Sequence, residues 1–83
     1  MRYIAQINIM PQKALLDPQG KTVQNSAVKN GFPEIQNVRI GKNIEIEIET
    51  ENKGKAVEII DSLCNKILIN PVVEYFNFTL QEL

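Results

Sequence analysis

Six residues in the middle of the chain alternate strictly between isoleucine and glutamate, from Ile44 to Glu49. Because successive side chains of a strand point to opposite faces, this alternation predicts a β-strand with one buried side and one solvated side. After Lys53 the period lengthens, and apolar residues recur at the spacing of one helical face. These residues are Ala56, Val57, Ile60, Leu63, Cys64 and Ile67. A strand followed directly by an amphipathic helix requires a fold that contains both types of element.

The N-terminal part of the chain predicts a strand and then a helix. Tyr3 to Met10 alternates with a period of two, which predicts the first strand. Asp17 is a favourable N-cap, and Pro18 occupies the first helical position, where its missing N–H does no harm. The helix is predicted to end at residues 30–33, where glycine can take a left-handed conformation and proline prevents continuation.

Two further strands are predicted. Val38 and Ile40 alternate with polar neighbours, which predicts a short second strand, and Gly41 to Asn43 is predicted as the turn into the Ile/Glu strand. After the Asn-Pro stop at residues 70–71, the β-branched and aromatic residues from Val72 to Leu80 predict the last strand.

The predicted element order is βαββαβ. Its commonest solution is the ferredoxin-like α+β fold, an antiparallel sheet with both helices on one face, here formed by residues 1–83 as a single domain. The other sheet face then has no cover of its own. By strand parity, that open face is predicted to carry the apolar residues Ile4, Met10, Val73 and Tyr75. A small core and an uncovered face predict a homodimer that forms through the open sheet face or a sheet edge.

The composition excludes several kinds of site. With 83 residues and no histidine, the chain has no imidazole base, no Ser-His-Asp or Cys-His arrangement and no histidine ligand for a metal. The one cysteine, Cys64, lies in the apolar helical stripe, which predicts a buried thiol and fits a reducing cytoplasm. A net charge of −1 argues against electrostatic binding of nucleic acid. No apolar run approaches the roughly 20 residues of a membrane span.

Glu45, Glu47 and Glu49 form a row of carboxylates on one side of the predicted strand. No apolar pocket is evident beside them, so the row is predicted to be a solvated face rather than a catalytic pair. RNA-recognition modules share this element order, but they stack bases on aromatic residues of the central strands, where this chain has isoleucine and glutamate. A stand-alone, ligand-binding regulatory dimer of ferredoxin-like fold stays open as an alternative function.

The stretch LDPQG, residues 16–20, is only partly explained by capping of the first helix. A glycine in the first turn of a helix costs up to about 1 kcal/mol relative to alanine. Gly20 would allow another backbone to approach closely, and Gln19 could bond a partner. From the residues alone, this stretch either only begins the helix or also forms a docking surface for a partner.

Arg39 points to the side opposite Val38 and Ile40 in the predicted second strand. It is either a solvated cation near the glutamate row or a contact to another subunit, and the pattern alone does not separate these two roles.

Three stretches point to a known family: LDPQG at residues 16–20, VRIGK at 38–42 and INPVVE at 69–74. With this order and spacing in so short a chain, the sequence resembles the small PurS subunit of phosphoribosylformylglycinamidine synthase, and the resemblance covers essentially the whole chain.

The resemblance implies an accessory role in purine biosynthesis. The subunit would act as a homodimer or tetramer in the cytoplasm, and would join a glutaminase subunit to a large synthetase subunit to support ammonia transfer. It implies no catalytic residue, cofactor or metal on this chain, because ATP and magnesium would be used by the large subunit. The residues suggested to contact partners are Asp17, Gln19, Gly20, Arg39, Lys42 and Asn70.

Overall fold

The computed structural model describes all residues, 1–83, and contains three strands and two helices. In chain order they are β1 (Arg2–Pro11), α1 (Pro18–Lys29), β2 (Lys42–Glu49), α2 (Lys53–Leu63) and β3 (Glu74–Glu82), and α2 runs on into a π-helical turn, Cys64–Leu68. The predicted α+β class with an antiparallel sheet and two helices is confirmed.

The sheet has three strands in the order β2-β1-β3, and both pairings are antiparallel. The central strand β1 aligns Ile7 with Ile44 of β2 and with Phe78 of β3. The predicted second strand at Val38 and Ile40 does not form, so the expected four-stranded sheet lacks one strand within this chain.

The chain runs straight into β2 at the point where a turn was predicted. Residues 35–41 contain no turn or bend, and Gly41 has no positive φ. The ladder between β1 and β2 ends with Ile9 paired with Lys42, so the next residues, Met10 and Gly41, lie side by side. A Cβ on Gly41 would overlap the Ile9 carbonyl oxygen and the Met10 sulfur. Gly41 therefore serves close strand approach and not the predicted turn, and residues 37–41 do not fold back onto β2.

The core lies between the sheet and α2. Its fully buried members come from one face of β1 and one stripe of α2, and they are Tyr3, Ala5, Ile7, Ile9, Ala56, Ile60 and Cys64. The predicted inward face of β1 is confirmed. In the predicted stripe of α2, Val57 and Ile67 instead remain 40% and 72% exposed. A narrow sheet of three strands touches only one side of the helix, so these two residues remain in solvent.

Helix α1 does not lie over the sheet, which corrects the prediction of two helices on one face. Its only buried residue is Gly20, while Val23 and Val28 are 46% and 45% exposed. The molecule is elongated, with extents of 51 × 27 × 14 Å. The ends of α1 form as predicted, because Asp17 caps the first turn and Gly31 takes a φ of 96° after the last. Neither helix is long and apolar enough to cross a membrane.

The open face of the sheet is mostly polar. Three asparagines form a row across the strands, in which Asn43 Nδ2 donates to Asn8 Oδ1 at 2.8 Å and Asn8 Nδ2 donates to Asn77 Oδ1 at 3.2 Å. In the next row, Gln6 Nε2 donates to Glu45 Oε1 at 2.6 Å. The predicted apolar character is therefore wrong for most of this face. Tyr75 lies on the open face as predicted, because it pairs with Met10. Val73 lies before the first residue of β3 and so belongs to neither face of the sheet.

Candidate functional site

The site residues suggested by the sequence lie at one end of the sheet, where β1 ends and where β2 and β3 begin. Asp17 organises this end. Its Oδ1 accepts from the Gly20 N–H at 2.9 Å, and its Oδ2 accepts from the Ile40 N–H at 2.7 Å. One carboxylate thus caps α1 and also ties the segment before β2 to the start of the helix.

Gly20 is the point at which the helix meets that segment. A Cβ at this position would overlap the Val38 carbonyl oxygen and would lie 2.8 Å from the Val38 carbonyl carbon. The close approach that the sequence suggested is therefore real, but the approaching backbone belongs to the same chain. Gln19, in contrast, is exposed and its side chain bonds to no group of the chain.

Arg39 is half-buried and is bound within the chain. Its Nη2 donates to the Pro11 carbonyl oxygen, its Nη1 donates to the Tyr75 hydroxyl at 3.3 Å, and its guanidinium carbon lies 5.8 Å from the centre of the Tyr75 ring. The residue points away from the core face as predicted, but it is not a free solvated cation. These contacts anchor the 36–41 segment to the ends of β1 and β3.

Lys42 and Asn70 are connected through Glu74, the first residue of β3. Lys42 Nζ lies 3.8 Å from Glu74 Oε2, and the Asn70 N–H donates to Glu74 Oε1 at 2.9 Å. Asn70 Oδ1 also accepts from the Val72 N–H at 3.1 Å, which stabilises the turn into β3. Ion pairs as exposed as this one contribute about 0–1 kcal/mol, so Glu74 fixes local geometry more than overall stability.

A cleft of about 410 Å³ opens between these elements. Its lining combines apolar residues from the strand ends with polar residues from the start of α1 and from the ion pair. The lining residues are Ile9, Pro11, Leu16, Asp17, Pro18, Gln19, Ile40, Gly41, Lys42 and Glu74. Leu16 at the rim is 83% exposed.

Sequence reasoning missed Glu74, Tyr75 and Pro11 as members of this site. Pro11 was read only as the end of a strand, and Glu74 and Tyr75 only as part of the last strand. The Asn-Pro stop just before Glu74 was the one usable signal, because it fixes where β3 begins. No local pattern indicates that Arg39 would contact Pro11, which is 28 positions away in the chain, and Tyr75, which is 36 positions away.

The side chains considered for chemistry do not form a reactive centre. Cys64 is fully buried, and its burial, together with Asp61, raises the pKa of the thiol. Glu45, Glu47 and Glu49 are exposed on β2, as predicted for a solvated face. No group of three or more His, Cys, Asp or Glu side chains is placed to hold a metal ion.

The double acceptor role of Asp17 predicts a specific pH dependence. The N–H groups of Gly20 and Ile40 hold the pKa of Asp17 below its ordinary value of 3.8, with a smaller contribution from the charge of Arg39. A lowered pKa in the folded state means that the stabilisation is fully present above the unfolded value and is lost as the pH falls through the folded pKa. We expect the thermal midpoint of Asp17→Asn to lie below that of the wild type at pH 6, and the two midpoints to converge below pH 3.8.

The matched control is Glu51→Gln, which removes an exposed carboxylate that accepts no hydrogen bond. Its midpoint should follow the wild type from pH 6 downward. An unchanged midpoint for Asp17→Asn at pH 6 would contradict the assigned role of the carboxylate.

Comparison with known proteins supports the resemblance seen in the sequence. The family model PurS, described as phosphoribosylformylglycinamidine (FGAM) synthase, matches residues 4–82. The phosphoribosylformylglycinamidine synthase subunit PurS of Thermotoga maritima is 38% identical over 71 residues, which cover 84% of this chain and 85% of that protein.

Two solved structures show the same fold over nearly the full length. Methanocaldococcus jannaschii PurS, described as one of the subunits of formylglycinamide ribonucleotide amidotransferase in the purine biosynthetic pathway, is 32% identical, has a TM-score of 0.86, and matches over 98% of both chains. A chain in the structure of PurLQS from Thermotoga maritima is 31% identical, has a TM-score of 0.90, and covers 98% of this chain and 99% of its own length. This chain therefore belongs to the PurS family of phosphoribosylformylglycinamidine synthase subunits.

Proposed function

We propose that this chain is the non-catalytic assembly subunit of phosphoribosylformylglycinamidine synthase, a glutamine-dependent, ATP-using ligase complex of purine biosynthesis. Membership of the PurS family over residues 4–82 is the observation that carries the proposal. A subunit related to it is part of a PurLQS structure, which places that relative in an assembly with other subunits. The alternative of a stand-alone regulatory dimer has no comparable support.

In this role the chain acts as a homodimer or tetramer in the cytoplasm and joins the glutaminase subunit to the large synthetase subunit, so that ammonia passes between them. ATP and magnesium are used by the large subunit. Residues 1–83 act as one unit in these contacts.

The end of the sheet is the proposed docking surface for a partner subunit. Asp17, Gly20 and Arg39 bond to or touch backbone of their own chain, so their role is to hold the surface in shape. Gln19 and Leu16 are exposed beside the cleft and are free to touch another protein. A few residues carry most of the binding energy of a protein interface, so a change at one exposed residue of this surface can be tested by itself.

The proposal predicts that changing Gln19 to arginine weakens the contact with a partner subunit and thereby lowers the glutamine-dependent activity of the complex. The side chain has no partner within the chain, so Gln19→Arg should leave the melting curve unchanged. Disruption of an interface residue that carries binding energy costs more than about 1 kcal/mol, and 1.4 kcal/mol corresponds to about tenfold in affinity. We expect glutamine-dependent activity of the reconstituted complex to fall about tenfold at limiting subunit concentration.

Ammonia-dependent activity of the large subunit is the internal control, because it does not require transfer from the glutaminase. Gln81→Arg is the matched variant, since Gln81 is also exposed but lies on the open sheet face near the far end of β3. If the wild-type chain neither co-purifies with the two other subunits nor raises glutamine-dependent activity, the proposed function is wrong. An unchanged activity for Gln19→Arg alone would remove Gln19 from the docking surface.

A further inference from the structure

A second cavity, lined by cations, lies next to the cleft at the end of the sheet. It has a volume of about 350 Å³ and opens between the β1–α1 connection, the start of α1 and the segment that precedes β2. Three of its lining residues are cations, Lys13, Lys21 and Arg39, and Asp17 is the only carboxylate among them. Leu16 and Asp17 line this cavity and the cleft alike.

No carboxylate of the chain forms an ion pair with these three cations. The ion pairs that do form involve Arg2, Lys42 and Lys55. Asp17 uses its two oxygens to accept from the N–H groups of Gly20 and Ile40. Three positive charges and one negative charge therefore leave a formal charge of +2 around the cavity, although the chain as a whole carries −1.

Hydrogen bonds within the chain hold the walls of the cavity in place. Gln24 Nε2 donates to the Gln36 carbonyl oxygen at 2.7 Å, which ties α1 to the segment before β2. Arg39 donates to the Pro11 carbonyl oxygen and to the Tyr75 hydroxyl, and these bonds use two of the five N–H groups of a guanidinium. The other three N–H groups remain available. A site whose donors are fixed before the ligand arrives loses less conformational entropy on binding.

We propose that this cavity binds a phosphate group, either as free phosphate or as the phosphate of a small sugar phosphate. Arg39 offers forked N–H donors, and Lys13 and Lys21 offer point charges, which are the two kinds of cation that proteins use to bind phosphate. A phosphate monoester carries a charge of about −1.5 to −2 at pH 7, which balances the charge of +2 around the cavity. A single carboxylate would leave half of that charge uncompensated.

The rim of the cavity suits the carbon atoms of a small organic phosphate. Leu15 and Leu16 line it and are 44% and 83% exposed. Because Leu16 and Asp17 belong to both depressions, a phosphate bound here lies beside the proposed docking surface. The proposed function assigns only protein partners to this chain, and the phosphate site does not depend on it.

Isothermal titration calorimetry of the isolated full chain tests the site, with inorganic phosphate and ribose 5-phosphate as ligands and ribose as the uncharged control. Ionic strength is held constant with sodium chloride, because salt screens electrostatic binding. Both phosphate compounds should bind the wild type with saturation, and ribose should not. Tighter binding of ribose 5-phosphate would show that the leucine rim contacts the sugar, and equal affinities would identify phosphate alone as the ligand. Either result supports the site.

The decisive variant combines Lys13→Gln with Lys21→Gln. Neither lysine side chain forms an ion pair, and glutamine and lysine have similar helix propensities, so the fold should be retained. The melting temperature without phosphate should equal or exceed that of the wild type, since two of three mutually repelling cations are gone. We expect the Kd for ribose 5-phosphate to rise at least tenfold, because one hydrogen bond to a charged group corresponds to about tenfold in affinity.

The matched control combines Lys53→Gln with Lys66→Gln. It changes the net charge by the same amount, and both lysines are exposed, form no ion pair and lie outside the cavity. Its Kd should stay at the wild-type value. Three results would each overturn the proposal: no saturable binding of either phosphate compound to the wild type, an unchanged Kd for the Lys13 and Lys21 variant, or an equal rise of the Kd in the control. No partner subunit or activity enters this assay, so its failure is distinct from failure of the proposed function.

Discussion

Replacing Ile60 with alanine should destabilise the fold more than any other single truncation in the helix. Ile60 is completely buried and packs with Ile7 and Cys64 between the sheet and α2. Truncation of a buried isoleucine to alanine removes transfer free energy and leaves a cavity, which together cost about 2–5 kcal/mol. Only eight residues of the chain are buried, so little of the core can relax to fill the space. We expect this loss in the free energy of unfolding measured by urea denaturation.

Leu63→Ala is the matched control. The sequence pattern placed Leu63 in the same buried stripe as Ile60, and a loss of about 2–5 kcal/mol was the expectation for a buried leucine. In the structure Leu63 is only half-buried and lines an outer groove of about 420 Å³ with Ile59 and Ile67. Its truncation should therefore cost less than half as much as that of Ile60. Equal losses for the two variants would mean that α2 is rotated about its own axis, so that Leu63 faces the sheet as fully as Ile60 does.

The contrast between these two residues shows what a hydrophobic pattern specifies. A period of 3.6 residues identifies a face of α2, but the width of the buried part depends on how many strands lie beneath it. The pattern was sufficient for β1 and β2, where a strict alternation is sustained and one face meets the core. It was not sufficient at Val38 and Ile40, because alternation predicts an extended chain without stating which strand lies beside it.

The candidate site could be predicted only in part for a similar reason. Asp17 was recognisable as a helix cap because a cap acts over three residues, from Asp17 to Gly20. Its second oxygen bonds to Ile40, which is 23 residues away, and no local pattern reports such a contact. Gly20 was recognisable as unusual in a first turn, although the backbone that approaches it turned out to be that of Val38. Lys42 and Asn70 could be named from the family resemblance, but the ion pair and the hydrogen bond through which Glu74 connects them could not.

Gly20→Ala should affect both the stability of the chain and its assembly with partner subunits. An added Cβ would overlap the Val38 carbonyl oxygen, and it would also lie 2.8 Å from Asp17 Oδ2. Because the first obstacle is backbone, it cannot move away as a flexible side chain would. Either α1 or the 36–41 segment must shift, and overpacking of this kind typically costs about 1–3 kcal/mol. The shift would also weaken the bonds from Asp17 to Gly20 and Ile40 that shape the proposed docking surface.

The matched control is Gly54→Ala in the first turn of α2. An added Cβ there would meet only Asn52 Oδ1 at 3.4 Å, and alanine is preferred to glycine in a helix by up to about 1 kcal/mol. Gly54→Ala should therefore leave the melting temperature equal to or above that of the wild type and leave glutamine-dependent activity unchanged. Gly20→Ala should lower both, while ammonia-dependent activity of the large subunit stays constant. If alanine is tolerated at both glycines alike, Gly20 has no structural role in holding the helix against the strand that precedes β2, because the contact with Val38 must then be loose enough to accept a methyl group.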